Sequence, residues 1–198
     1  MVVPKAIQSS TFKELQSKFI SILHPFQDVS HFKTWISGLR KEYHSANHVC
    51  WGYRIFSNHQ IEENASDAGE PNGTAGLPII NALKQKEIVN GGAAVIRYFG
   101  GTKLGKRGLI DAYGKAARDV IQQSYFSPFI RLNKYRVIAP LVYYGDLSNT
   151  IIKLNGKILT DSTAEQLDLV IEIPESTLSD LIQTIRIVTK GKGDLQRI

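Results

Sequence analysis

Two stretches of this 198-residue sequence combine residue types that do chemistry. The first is RYFGGTKLGKRGL, residues 97–109, where Gly100, Gly101 and Gly105 are interleaved with Arg97, Lys103, Lys106 and Arg107. A strand entering a glycine-rich loop that opens a helix presents successive backbone N–H groups and a helix N-terminus, and both attract an anion. Gly100 to Lys106 satisfies GxxxxGK, the opening of a P-loop. Arg107 follows where the Mg²⁺-binding Ser or Thr belongs, so nucleotide hydrolysis is not indicated. The plainer alternative is a tight turn whose glycines only allow close packing. The coincidence of glycines with cations favours anion binding.

The second stretch is SDAGEPNGTAGLP, residues 66–78. Asp67 and Glu70 are two carboxylates that suit acid–base work or a divalent cation. Gly73, Thr74 and Gly76 offer backbone donors ahead of a helix, as a second part of an anion surface. The competing reading has Asp67 capping a turn and Thr74 capping the helix, and it is preferred over a metal site. No metal and no cofactor is expected. A third segment, HSANHVC (44–50), holds His44, His48 and Cys50. His48 and Cys50 share one face of a strand, so a Cys–His nucleophile is conceivable. A buried structural cysteine beside a satisfied histidine is the commoner outcome and is expected here. Tyr98, Phe99 and Tyr113 are aromatics that stack bases or pack the core, with core packing expected for at least two.

Charge narrows the partner. The net charge is +6, and Arg97 to Arg118 carries six basic residues against Asp111, which is +5 of it. The alternative to an anionic partner is a solvated face. Residues 131–198 carry nine basic and eight acidic residues. With 42% hydrophobic and 21% charged residues, an ordinary globular composition, wholesale disorder is not expected. The single cysteine excludes an intrachain disulfide and a cysteine-rich zinc site. No apolar run reaches a membrane-spanning length and no signal-peptide core opens the chain, so a soluble cytoplasmic protein is expected.

The positioning elements follow from periodicity. Strands are expected over 17–26, 48–56 and 91–99, with a helix from Ser30 as N-cap. Residues 61–76 read as a polar loop and 78–86 as a short helix with Pro78 in its first turn. Leu109, Ala112, Tyr113, Ala116, Ala117, Val120 and Ile121 form the stripe of a helix that ends before Pro128. Beyond it come strand 132–144, helix 146–155, strands 157–163 and 166–173, helix 177–189 and strand 193–198. Ser176 or Thr177 caps the second of these helices, with Leu178, Leu181, Ile182 and Ile185 as its stripe. That order, βαββαβ, is ferredoxin-like. The expected domains are therefore 1–128 and 129–198, in an α+β chain.

EPNGTAGLP (70–78) followed by RYFGGTKLGKRGLIDAYGKA (97–116) resembles the signature of the YigZ/IMPACT family, and His48 in NHVC matches that family's histidine. The resemblance is strong over residues 10–125 and looser beyond. It implies an N-terminal domain like the second domain of a small-subunit ribosomal protein, also seen in elongation factor G, and a ferredoxin-like C-terminal domain. Eukaryotic relatives regulate translation through an activator of a starvation-responsive kinase. They use an additional N-terminal domain expected to be absent here, so that role is not carried over. Lys106–Arg107 departs from the small residue many members have after the Leu–Gly pair.

The leading expectation is a non-enzymatic protein associated with RNA or the ribosome, bound through Arg97, the basic glycine loop and the Gly73–Gly76 loop. The alternative is a hydrolase or transferase acting on a phosphorylated small molecule through Asp67 and Glu70. A protein-interaction module is the third class. Convergence of the two glycine-rich loops on one cleft containing Arg97 is the spatial observation that separates a shared site from none.

Overall fold

The computed structural model describes residues 1–57 and 59–198, which form two compact units, Met1–Phe129 and Ile130–Ile198. In the first unit a five-stranded antiparallel sheet carries strands β2 (Gln8–Glu14), β3 (Ser17–Pro25), β6 (Gly91–Tyr98), β4 (His48–Ser57) and β5 (Gln60–Ser66), in that spatial order. Helix α1 (Val29–Glu42) covers one face, where Phe32, Ile36 and Leu39 meet Val49, Tyr53, Ala94 and Ile96. Helices α2 (Gly76–Gln85) and α3 (Gly105–Gln122) cover the other, over Phe19, Cys50, Ala93 and Val95. The period of two along β6 explains the division. Ala94 and Ile96 face α1, while Ala93, Val95 and Arg97 face α2 and α3.

Several elements differ from the sequence expectation for identifiable reasons. Strands β1 (Val2–Pro4) and β7 (Phe126–Pro128) form a separate two-stranded ribbon that periodicity does not reveal. Strand β5 occupies much of the expected 61–76 loop. It is an edge strand whose side chains are mostly exposed, so apolar alternation is missing and backbone pairing with β4 carries it. Asp28, not Ser30, caps α1: its Oδ1 accepts the His31 N–H at 2.9 Å. Helix α3 begins at Gly105, so Lys106 and Arg107 lie in its first turn and not in a loop.

The second unit has strands β8 (Leu132–Pro140), β9 (Lys157–Asp161), β10 (Gln166–Pro174) and β11 (Asp194–Arg197) in the antiparallel order β11-β8-β10-β9. Helices α4 (Tyr144–Lys153) and α5 (Leu178–Val188) place Leu147, Ile151, Leu181 and Ile185 against Val137, Leu169 and Ile171. This is the ferredoxin-like βαββαβ arrangement. Strand β8 stops at Pro140, short of the expected residue 144, where a 3₁₀ turn at Leu141–Tyr143 leads into α4. No side chain caps α5: the Thr177 hydroxyl donates to the Leu154 and Pro174 carbonyls. Ile182 lies outside the buried stripe, half exposed.

Phe129 packs on Phe56 and its N–H donates to the Met1 carbonyl, which ties it to the first unit. A fragment of residues 1–129 is therefore expected to unfold in one cooperative step by urea titration, since it holds its own core. A soluble fragment with a gradual, non-cooperative loss of circular dichroism would show that the halves share a core.

Candidate functional site

Three side chains lie in register across the inner strands. Phe19 on β3 pairs with Arg97 on β6, and Arg97 pairs with His48 on β4. The Arg97 guanidinium lies over the rings of Phe19 and Phe99, 5.6 and 5.5 Å from their centroids. Onto this row the loop after β5 lowers Glu70, and α3 lowers Tyr113. Glu70 Oε1 accepts from Arg97 Nη1 at 2.6 Å and from the Tyr113 hydroxyl at 2.8 Å. The Glu70 and Arg97 side chains are only 4% and 7% exposed, so this is a buried, hydrogen-bonded ion pair. Burial, with Cys50 and Glu70 alongside, pushes the Tyr113 hydroxyl pKa far above its ordinary value. Tyr113 is therefore a neutral donor to Glu70.

His48 Nδ1 lies 2.9 Å from the Ala68 carbonyl oxygen, which can only accept, so this nitrogen carries a proton. Its Nε2 lies 3.8 Å from Glu70 Oε1. Cys50, two residues on and on the same face, is fully buried and donates its thiol to the Asp67 carbonyl at 3.0 Å. Burial pushes its pKa up to about 12, which leaves a thiol and no nucleophile at neutral pH.

The two glycine-rich loops do converge. A cleft of about 440 Å³ is lined by Asn47, His48, Glu70, Pro71, Arg97, Phe99, Lys103, Leu104, Gly105, Lys106 and Leu109. Lys103, Lys106 and Arg107 are exposed. Helix α3 starts at Gly105 with no capping side chain and no acid in its first turn. Cations there oppose the helix dipole, an arrangement that a bound anion relieves.

Other predicted residues have structural work instead. Asp67 accepts N–H groups from Gly73, Ala75 and Gly76 at 2.8, 2.8 and 2.9 Å. The anion in the Gly73–Gly76 nest is thus the protein's own carboxylate, and the donors expected for a ligand are occupied. Thr74 is buried, its hydroxyl donating to the Pro71 carbonyl, and it does not cap α2. A Cβ at Gly76 would lie 2.7 Å from the Ser66 nitrogen, so this glycine serves close packing. Gly100 is needed for the same reason: a Cβ there would come within 2.0 Å of the Gln16 backbone, and its N–H donates to Ser17 Oγ. Gly101, with φ +92°, shapes the exposed turn and does not line the cleft. Arg97 is committed to Glu70 and, at 3.4 Å, to Ser17, so it frames the cleft instead of meeting an anion with a free charge. Asp67 and Glu70 are each bonded to groups of the protein itself, Asp67 in the turn-capping role preferred for it from the sequence. Among the described residues no group of three His, Cys, Asp or Glu side chains is placed to hold a metal.

Asn47, Ser17 and the Tyr113 hydroxyl were not singled out from the sequence. Tyr113 carried one usable signal: a tyrosine in an otherwise aliphatic buried stripe must find a partner for its hydroxyl. Asn47 accepts the Phe99 N–H at 2.7 Å and fixes that ring at the cleft mouth.

Residues 15–121, more than half of the chain, match the model of the Impact N-terminal domain. The chain belongs to the IMPACT family. The IMPACT family member YvyE of Bacillus subtilis (strain 168) is 28% identical over 181 residues, covering 91% of this chain and 83% of its own. YigZ of Escherichia coli (strain K12) is 24% identical over 196 residues, covering 98% and 95%. A crystal structure described as that of a hypothetical protein shares the fold, with a TM-score of 0.74 at 24% identity over 100% of this chain and 96% of that one. The IMPACT domain match spans the whole Phe19–Arg97–His48 row, Glu70 and Tyr113. Among the described residues no helix is long and apolar enough to cross a membrane.

Asp67 makes this IMPACT site pH-sensitive in a defined direction. Burial alone would raise its pKa, but the N–H groups of Gly73, Ala75 and Gly76 outweigh burial and hold it below the ordinary carboxylate value. A depressed folded pKa contributes stability that is complete above the ordinary value of about 3.9 and is lost as pH falls through the folded one. Asp67→Asn should cost about 2 kcal/mol at pH 7 by the loss of charge-assisted bonds. Urea titrations should show the gap between variant and wild type closing below pH ~4. A gap that stays constant down to pH 2 would remove the ionised carboxylate from this account.

Proposed function

We propose that the protein is a non-enzymatic, cytoplasmic RNA- or ribosome-associated factor linked to translation. It binds phosphate groups at the rim formed by Lys103, Lys106 and Arg107. The observation that supports this most directly is the start of α3, which lacks a capping side chain and a first-turn acid, while three exposed cations surround it beside the cleft. An anion offsets both the helix dipole and the mutual repulsion of these cations. The link to translation rests on the family resemblance. The bonds that Asp67 makes to the Gly73–Gly76 backbone, and Glu70 Oε1 to Arg97 and Tyr113, favour this reading over a hydrolase or transferase acting through that pair.

Phosphate contacts carry no sequence information, so two unrelated RNAs should bind with affinities within about threefold. For three contacts, log K should fall against log salt with a slope of about −2 to −3. Fluorescence anisotropy across a salt series reads both. A salt-independent affinity would contradict the reading.

A further inference from the structure

Two residues of the cleft beside Arg97, Asn47 and His48, also border a second depression. This depression, of about 290 Å³, is lined by these two residues together with Arg40, Tyr43 and His44. Arg40 and His44 are exposed near the end of α1. Among the described residues Glu70 is the only acid lining either depression, and Arg97 neutralises it at 2.6 Å. Arg40 thus lines the second depression and Lys103 and Lys106 the first, with Asn47 and His48 common to both.

Phe99 stands in the first of these, with Lys103 and Lys106. It is 44% exposed although it lines the cleft, and it is held from two sides. Its N–H is bonded to Asn47 Oδ1, and the Arg97 guanidinium lies over its ring. An apolar ring fixed in an open, cation-flanked cleft gains nothing from water and offers a stacking surface to a planar base. A base inside a duplex is already stacked on its neighbours and cannot reach such a ring, whereas a single strand presents free base faces.

The geometry points to single-stranded nucleic acid as the occupant of the two depressions, with one base stacked on Phe99 and phosphates held by Arg40 in the second and by Lys103 and Lys106 in the first. This rests on the phosphate-binding reading given above and adds to it the strand state, the stacking residue and Arg40.

The test uses the full chain and three fluorescent or competing probes: a 12-mer single-stranded RNA, the corresponding 12-base-pair duplex, and AMP. The 12-mer should bind more tightly than the duplex, and AMP should compete only weakly. Phe99→Ala should weaken 12-mer binding roughly 5- to 150-fold, the range for loss of one stacked base. Phe99→Tyr, which keeps a π-face, should stay within about threefold of wild type. Phe99→Leu keeps apolar bulk without the π-face and should behave like alanine, which covers the case of an unstable alanine variant. Arg40→Glu should reduce the salt slope by about 0.7, the value for one phosphate on a single strand. Duplex binding as tight as the single strand overturns the inference, as does full affinity in both Phe99→Ala and Phe99→Leu. AMP binding as tight as the 12-mer also overturns it and marks a small-molecule site. If Phe99 is indifferent while glutamates at Lys103, Lys106 and Arg107 abolish binding, this inference fails and the phosphate reading stands. If no nucleic acid binds, both fail.

Discussion

Glutamate at positions 103, 106 and 107 together should lower RNA affinity by at least about tenfold and reduce the magnitude of the salt slope by about 2–3. All three side chains are exposed, and the substitution reverses six units of charge at the cleft rim. Its effect on folding should have the opposite sign. Lys106 and Arg107 lie in the first turn of α3, where cations oppose the helix dipole. Acids in a first turn are favourable by about 0.3–1 kcal/mol each, against a usual surface effect of about ±0.5 kcal/mol. The triple variant should therefore unfold at or slightly above the urea midpoint of wild type while losing its ligand. Affinity that is unchanged in this well-folded variant would remove the rim from the binding surface. A marked fall in the urea midpoint would mean that these side chains make contacts beyond those described.

The second large effect concerns the buried pair. Arg97→Met leaves Glu70 as a buried carboxylate with only the Tyr113 hydroxyl bonded to it and His48 Nε2 at 3.8 Å. Breaking a buried pair from one side costs about 3–5 kcal/mol, because the remaining charge is left uncompensated. Arg97→Met combined with Glu70→Gln should recover much of that loss, since the amide bears no charge and can still accept from Tyr113. Urea unfolding of both singles and the double gives the coupling energy directly. A loss below about 1 kcal/mol in Arg97→Met would mean that water reaches Glu70 and that the pair is not the keystone of the cleft. Tyr113→Phe removes one hydrogen bond to a charged group and should fall between these limits, at about 1.5–3 kcal/mol.

Much of this site was written in local sequence, but its assembly was not. The side chains at 97, 103, 106 and 107 were visible as charge among glycines, and the period of two put His48 and Cys50 on one strand face. Nothing local says that His48 stands opposite Arg97. That follows from the register of β4 on β6, which pairs these residues, 49 apart in sequence. The same limit hid the use of the Gly73–Gly76 donors. Sequence showed a nest for an anion and an aspartate six residues before it, but not that one fills the other. Edge strand β5 was missed because its glutamates face solvent or pair with Arg54, Lys84 and Tyr53, which erases alternation. The second unit was legible because its core strands alternate cleanly, as in Leu167, Leu169, Ile171 and Ile173, all fully buried. Its misread ends lie where proline withdraws an N–H from the ladder, at Pro140.

Phe19, Arg97 and His48 sit on β3, β6 and β4, the three inner strands of the order β2-β3-β6-β4-β5. Inner strands open only with the whole unit, so their amides are expected to exchange with solvent at the rate of global unfolding. The floor of the cleft therefore has no soft mode of its own, and a ligand meets it already shaped. Heritable change in binding strength has two different routes in such a molecule. A substitution in the floor is first a threat to the survival of the fold, and purifying selection acts on it whatever the ligand. Substitutions at Lys103, Lys106, Arg107 and Arg40 touch no core, so a lineage can retune affinity, salt tolerance or partner there in single steps while the floor stays fixed.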